Sequence, residues 1–150
     1  MTKISTIHDT INARLLTIFP SKTRIPNAYS LIDNAEQFLK NGFGLKYNGS
    51  SRVDFEICNR RESADFSLVL SSEFYHLETS QTAFDSPTKT ILEDAEIFKA
   101  RFYKTDLLAD LNIISLDVTT TSGLANLSGD KYNFLTIEIN FKIDYFESIT

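Results

Sequence analysis

The tightest constraint on what this chain can fold into is a strict two-residue alternation near its end. Leu135, Ile137, Ile139, Phe141, Ile143 and Tyr145 alternate with Thr136, Glu138, Asn140, Lys142 and Asp144. Successive side chains of a strand point to opposite faces, so the run makes one apolar row and one polar row. A strand inside a parallel sheet is covered on both faces and reads as continuously apolar. This one therefore belongs to an antiparallel sheet with a packed face and a wet face.

Helices must cover the packed face, and their periodicity is visible. Ile4, Ile7, Ile11, Leu15 and Ile18 recur at three- and four-residue steps, which predicts a helix over residues 3–19 that Pro20 stops. A basic, proline-bounded link over residues 21–26 leads to a second expected helix over 27–41. Asn27 would cap it, Leu31, Ile32, Ala35, Phe38 and Leu39 would face inward, and Gly42 would end it. A third helix is expected to start at Asp85 or Ser86, with Pro87 at its first helical position, and to run to about Leu108. It turns Ile91, Ala95, Phe98 and Phe102 inward. Its acidic residues Glu93, Asp94 and Glu96 precede the basic Lys99, Arg101 and Lys104, the order that the helix dipole favours on a solvated face.

Between and after these helices the period changes to two. It does so first at Leu45, with Val53, Phe55 and Ile57 alternating against Asp54, Glu56 and Cys58. A polar stretch over residues 59–65 then leads to a longer strand over 66–77, completing a hairpin. In that strand Phe66, Leu68, Leu70 and Phe74 share a face, while Val69, Tyr75 and Leu77 make the other face less polar than usual, as a covered face would be. A short strand alternates Ile114, Leu116 and Val118 against Ser115, Asp117 and Thr119, and the turn-rich residues 119–131 read as a long loop. The expected architecture is a single α+β domain over residues 1–150, a mainly antiparallel sheet with helices packed on one face.

Composition narrows the function. The 150 residues carry 15 Lys and Arg against 20 Asp and Glu, a formal charge of -5, so any contact with DNA is local. Cys58 is the single cysteine and has no partner for an internal disulfide. The first residues lack the apolar core of a signal peptide, which leads to the expectation of a cytoplasmic protein, and no run of 18 apolar residues suggests a membrane span. His8 and His76 are the two histidines, and neither stands in a spacing that activates a nucleophile. Zinc-ligand patterns and phosphate-binding glycine loops are missing too. Asp54 and Glu56 share a strand face as a metal or acid–base pair would, but no Lys or His stands in fixed spacing to them. No catalytic, cofactor-binding or metal residues are assigned. The short basic clusters Lys22 with Arg24, and Arg60 with Arg61, are candidates for contact with a phosphate or an acidic partner.

Several segments resemble structural proteins of tailed bacteriophages. They are residues 23–31 (TRIPNAYSL), Asp33 with Asn34, Phe38 with Leu39, residues 42–45 (GFGL), Leu92 to Asp94, and the ending from Tyr132 through Glu147. Together with the element order they look like the neck and tail-terminator proteins, in particular the minor tail protein U type. The resemblance implies a subunit that closes into a ring, typically a hexamer, on the last layer of the tail-tube protein, and presents a surface to the head connector protein. DNA would pass through such a channel without specific binding, an acidic lining repelling its phosphates. The location implied is the virion, assembled in the host cytoplasm. Lys22 and Arg24 of the basic link, with Leu124 and Leu127 of the turn-rich segment, are the candidate interface residues. A second reading, from charge alone, is a small acidic binding module that neutralises a basic protein.

Overall fold

The computed structural model describes residues 3–31, 36–52, 60–75, 81–102, 113–128 and 132–147. Its elements follow the chain as α1 (Ile4–Ile18), β1 (Thr23–Arg24), α2 (Glu36–Leu39), β2 (Asn41–Arg52), β3 (Arg60–Tyr75), α3 (Gln81–Arg101), β4 (Ile113–Thr121), β5 (Ala125–Ser128) and β6 (Tyr132–Glu147). The sheet order is β1-β2-β3-β6-β4, and β5 also pairs with β6. All pairings are antiparallel except the two-residue β1 beside β2. The fold is α+β, as the alternation implies.

β3 and β6 form the spine, in register from Arg60 opposite Glu147 to Tyr75 opposite Tyr132. At about 3.4 Å per residue such a pair is roughly 50 Å long, longer than the helices that cover it. The apolar row of β6 is buried along its whole length, from Leu135 to Tyr145. It meets Phe66, Leu68 and Leu70 of β3, Phe43 and Leu45 of β2, the stripe Ile7, Ile11, Leu15 and Ile18 of α1, and Ile91, Ala95 and Phe98 of α3. Phe141 is central. Its ring stacks on Phe66 at 5.5 Å, meets Phe102 edge-on at 5.2 Å and is tilted against Phe98 at 5.8 Å.

Several expectations need correction. Residues 27–31 are not helical, and the described part of α2 is the single turn Glu36–Leu39. Apolar residues spaced for a helix here serve a strap laid on the sheet: Ile25 and Leu39 pack with Phe134, and Leu31 and Phe38 lie against them. Gly42 does not stop a helix but belongs to β2. A Cβ on Gly44 would stand 2.7 Å from Ala28 Cβ and 3.2 Å from Ile25 Cβ, so the strand needs glycine where the strap crosses it. This strap covers the end of the second sheet face, which explains why Val69, Ser71 and Thr136 are buried.

The other differences concern boundaries. β3 begins at Arg60, because polar residues 60–65 suit a strand with one wet face. α3 begins at Gln81, which puts Pro87 inside it at the cost of one backbone hydrogen bond; the later turns, which bury Ile91, Ala95 and Phe98, anchor the helix. Its described end is Arg101; the expected end at Leu108 lies outside the described residues. The turn-rich segment is largely strand. β4 runs to Thr121, where three β-branched threonines favour extension. After residues 122–124, β5 resumes along the same side of β6. Ser122 N–H donates to the Glu138 carbonyl and Glu138 N–H donates to Ser122 Oγ, so the edge continues through a bulge.

Removing the central ring tests the spine. Phe141→Ala should lower the unfolding free energy by about 3–5 kcal/mol, read from urea denaturation with an unchanged m-value.

Candidate interaction surface

Beyond the strap, alternation fills the second sheet face with polar side chains. Lys46 and Asn48 of β2, Arg61, Ser63, Asp65 and Ser67 of β3, and Glu138, Asn140, Lys142 and Asp144 of β6 stand on it in adjacent rows. They are joined across strands. Lys46 Nζ lies 2.6 Å from Glu138 Oε1, Arg61 Nη2 lies 2.9 Å from Asp144 Oδ2, and Lys142 Nζ lies 3.8 Å from Asp65 Oδ1. Between these pairs runs a hydrogen-bond chain. Asn48 Nδ2 donates to Ser67 Oγ, Ser67 donates to Asn140 Oδ1, and Asn140 Nδ2 donates to Thr120 Oγ1 of β4.

Each pair contributes modestly, since cross-strand and solvent-screened ion pairs are worth at most about 1 kcal/mol. Their joint effect is to fix the side chains as a flat polar surface of mixed sign. Asp144 is the most enclosed of its acids. Burial works to raise its carboxyl pKa, but the Ser63 hydroxyl, the Arg61 guanidinium and the Ser115 hydroxyl outweigh burial and hold it below the usual carboxylate value.

The candidate residues from sequence fall in different places. Lys22 is turned inward, its side chain only 3% exposed, with Nζ 2.9 Å from Asp94 Oδ2 of α3 and donating to Asn41 Oδ1 at 2.7 Å. The same ammonium lies 5.8 Å from the centroid of the Phe19 ring. It ties the link after α1 to both α3 and β2. Arg24 lies exposed in β1. Leu124 is 39% exposed in the bulge of the outer edge, and Leu127 follows in β5, its side chain outside the described residues. The structure thus brings Leu124 and Leu127 to one edge and separates Lys22 from the surface. Arg61 is engaged with Asp144, while Arg60 is exposed at the end of β3. Asp54, Glu56, Cys58 and His76 lie outside the described residues. Among the described residues, no group of three His, Cys, Asp or Glu side chains is placed to hold a metal ion, and no helix is long and apolar enough to cross a membrane.

Two apolar patches complete the surface. On α3, Leu92 and Ile97 are exposed and line a shallow groove with Thr88, Lys89, Glu93 and Glu96. On the outer edge of the sheet, Val118 and Leu124 are exposed along β4 and the bulge. The α3 patch sits on the residues that sequence reading took as a solvated charged face. Glu93, Glu96 and Arg101 are exposed there, whereas Asp94 is turned in to Lys22 and Lys104 lies outside the described residues, and apolar side chains stand among the charges.

No protein-family model matches this chain, and no curated protein matches its sequence.

Two measurements check the electrostatics. Lys22→Ala leaves the largely buried Asp94 carboxylate without its cation and should cost about 3 kcal/mol of stability, part of which Lys22→Met with Asp94→Leu restores. Asp144 has a folded pKa below its unfolded value, so it stabilises the fold above about pH 4 and stops doing so as the pH falls through the folded value. Asp144→Asn should therefore be less stable at neutral pH and lose less Tm than the parent between about pH 4 and pH 2.

Proposed function

We propose that this protein is a structural subunit of a tailed-bacteriophage virion, a tail-terminator or neck component that associates into a ring at the head–tail junction. The ring would be hexameric, seated on the tail tube and facing the head connector, and it would perform no catalysis. The subunits would assemble in the host cytoplasm and remain in the virion. The observation that carries this reading is the pair of unlike apolar patches. A ring is built from heterologous contacts, in which one patch of each copy meets a different patch of the next. The groove on α3 and the outer edge at Val118 and Leu124 are two such patches on separate elements. The net charge of -5 suits a channel wall that DNA slides past without sticking.

The test is the mass of the protein in solution and its shape by negative-stain microscopy, alone and with a tail-tube protein. Particles of several subunits with a central channel are expected. A chain that stays monomeric in both conditions and co-purifies with a basic protein would replace this reading with that of an acidic inhibitory module. Leu124→Ser together with Leu127→Ser should leave the melting of the subunit within about 1 kcal/mol of the parent, because Leu124 stands on the surface, while reducing the yield of assembled rings.

A further inference from the structure

The chain contains two Asn-Gly dipeptides, Asn41-Gly42 and Asn48-Gly49, seven residues apart in the same strand. Asparagine followed by glycine is the sequence most open to loss of the side-chain amide, because glycine puts no side chain in the way of its own backbone nitrogen. The fold treats the two sites in opposite ways.

Asn41 is tied at both ends of its amide. Its Oδ1 accepts from Lys22 Nζ at 2.7 Å, and its Nδ2 donates to the Ser21 carbonyl at 3.4 Å. Gly42 is buried and in register with Thr23 on one side and Ser71 on the other. The Phe38 carbonyl, Ile25 and the Ser71 hydroxyl crowd it. The backbone there is extended on both edges and has no room to turn.

Asn48 is the extra residue of a β-bulge. The register passes from Tyr47 opposite Phe66 to Gly49 opposite Asp65, leaving Asn48 with no residue facing it. Gly49 has φ +112°, a value that residues with a side chain rarely adopt, and nothing lies within 4 Å of where a Cβ would stand. Asn48 itself is exposed. Its described hydrogen bond runs through Nδ2, which donates to Ser67 Oγ at 2.6 Å.

We infer that Asn48 is a site of spontaneous deamidation through a succinimide, and that the fold directs this chemistry to Asn48 and away from Asn41. The Gly49 backbone nitrogen gives its proton to solvent base and bonds to Asn48 Cγ. The side-chain nitrogen takes a proton from water and leaves as ammonia, closing a five-membered imide. Water then opens the imide at Cγ to give aspartate, or at the main-chain carbonyl carbon to give isoaspartate. One water is consumed, one ammonia is released, and no electrons are transferred.

The product changes the polar face. A carboxylate only accepts hydrogen bonds, whereas the Asn48 amide donates to Ser67. The single Ser67 hydroxyl hydrogen, now given to Asn140, would then be contested by two acceptors, and the face would gain one negative charge. Conversion at Asn48 therefore loosens the head of the chain that links β2 to β4.

The experiment incubates the full-length folded protein in mildly alkaline buffer, with a parallel sample in urea, and follows both dipeptides by peptide mapping and isoaspartate labelling. In the folded protein Asn48 should convert at least about tenfold faster than Asn41, whereas in urea the two rates should come together. Asn48→Gln, whose side chain closes a less favoured six-membered ring, should abolish the folded-state conversion while leaving the melting curve in place. Equal rates in the folded protein would overturn the inference, as would an Asn48 that stays intact while the urea sample converts.

Discussion

Everything in this fold is referred to the pairing of β3 with β6. The two strands are bonded over sixteen positions, and neither could bury its apolar row without the other holding it in register. A slip of β6 by one residue would turn Ile137, Ile139, Phe141 and Ile143 out to solvent and bring Lys142 and Asp144 into the core. At about 1.5–3 kcal/mol per large apolar side chain, four such reversals exceed the net stability of a typical domain. The remaining strands take their position from this pair, with β2 on the free side of β3 and β4 and β5 in line on the free side of β6. The helices α1 and α3 then lie over the face that carries the apolar rows of β2, β3 and β6.

The opposite face is divided by the chain between α1 and β2. In that segment residues 27–31 are not helical, and its course along the sheet is stabilised at three places. Glycines at 42 and 44 let it approach the backbone, Lys22 fastens its start to Asp94 and Asn41, and the Tyr29 hydroxyl both donates to the Tyr47 carbonyl and accepts from the Tyr47 N–H. The last contact occupies backbone groups on the outer edge of β2 that another strand would otherwise seek. The outer side of β4 is managed differently, by register shifts within β4 and by the bulge that follows it, both of which bend the edge away from flat pairing.

Local periodicity carried most of the architecture. The rows of β6 and the stripe of α1 were legible because each is a single-period pattern longer than ten residues, and the structure buries every residue they assigned to the core except Ile4 at the start of α1, which is partly buried. The strap was not legible. Leu31, Phe38 and Leu39 are spaced as one helix face would be, and nothing local says that residues 27–31 leave the helix while Leu39 packs with Ile25 and Phe134. The long edge was missed because glycine and serine at 122–123 look like a turn, while the β6 groups that keep them in the sheet stand some fifteen residues later. Of the polar face, membership could be read from alternation, but partnership could not. Lys46 and Glu138 are 92 positions apart, and nothing local to either names the other.

That face bears on how copies of the chain would associate. Its charges are already matched within the subunit, so a partner that met it would exchange satisfied pairs for other satisfied pairs and gain orientation more than affinity. Net association energy comes from apolar surface that the fold leaves uncovered, and among the described residues this includes Leu92 and Ile97 on α3, Val118 and Leu124 on the outer edge, Leu16 on α1 and Tyr29 beside β2. A contact joining such unlike patches repeats from copy to copy and closes only at a number set by the angle between them. The polar face would stay outside that contact, and its surface chemistry, the exposed amide of Asn48 included, could change without breaking a ring.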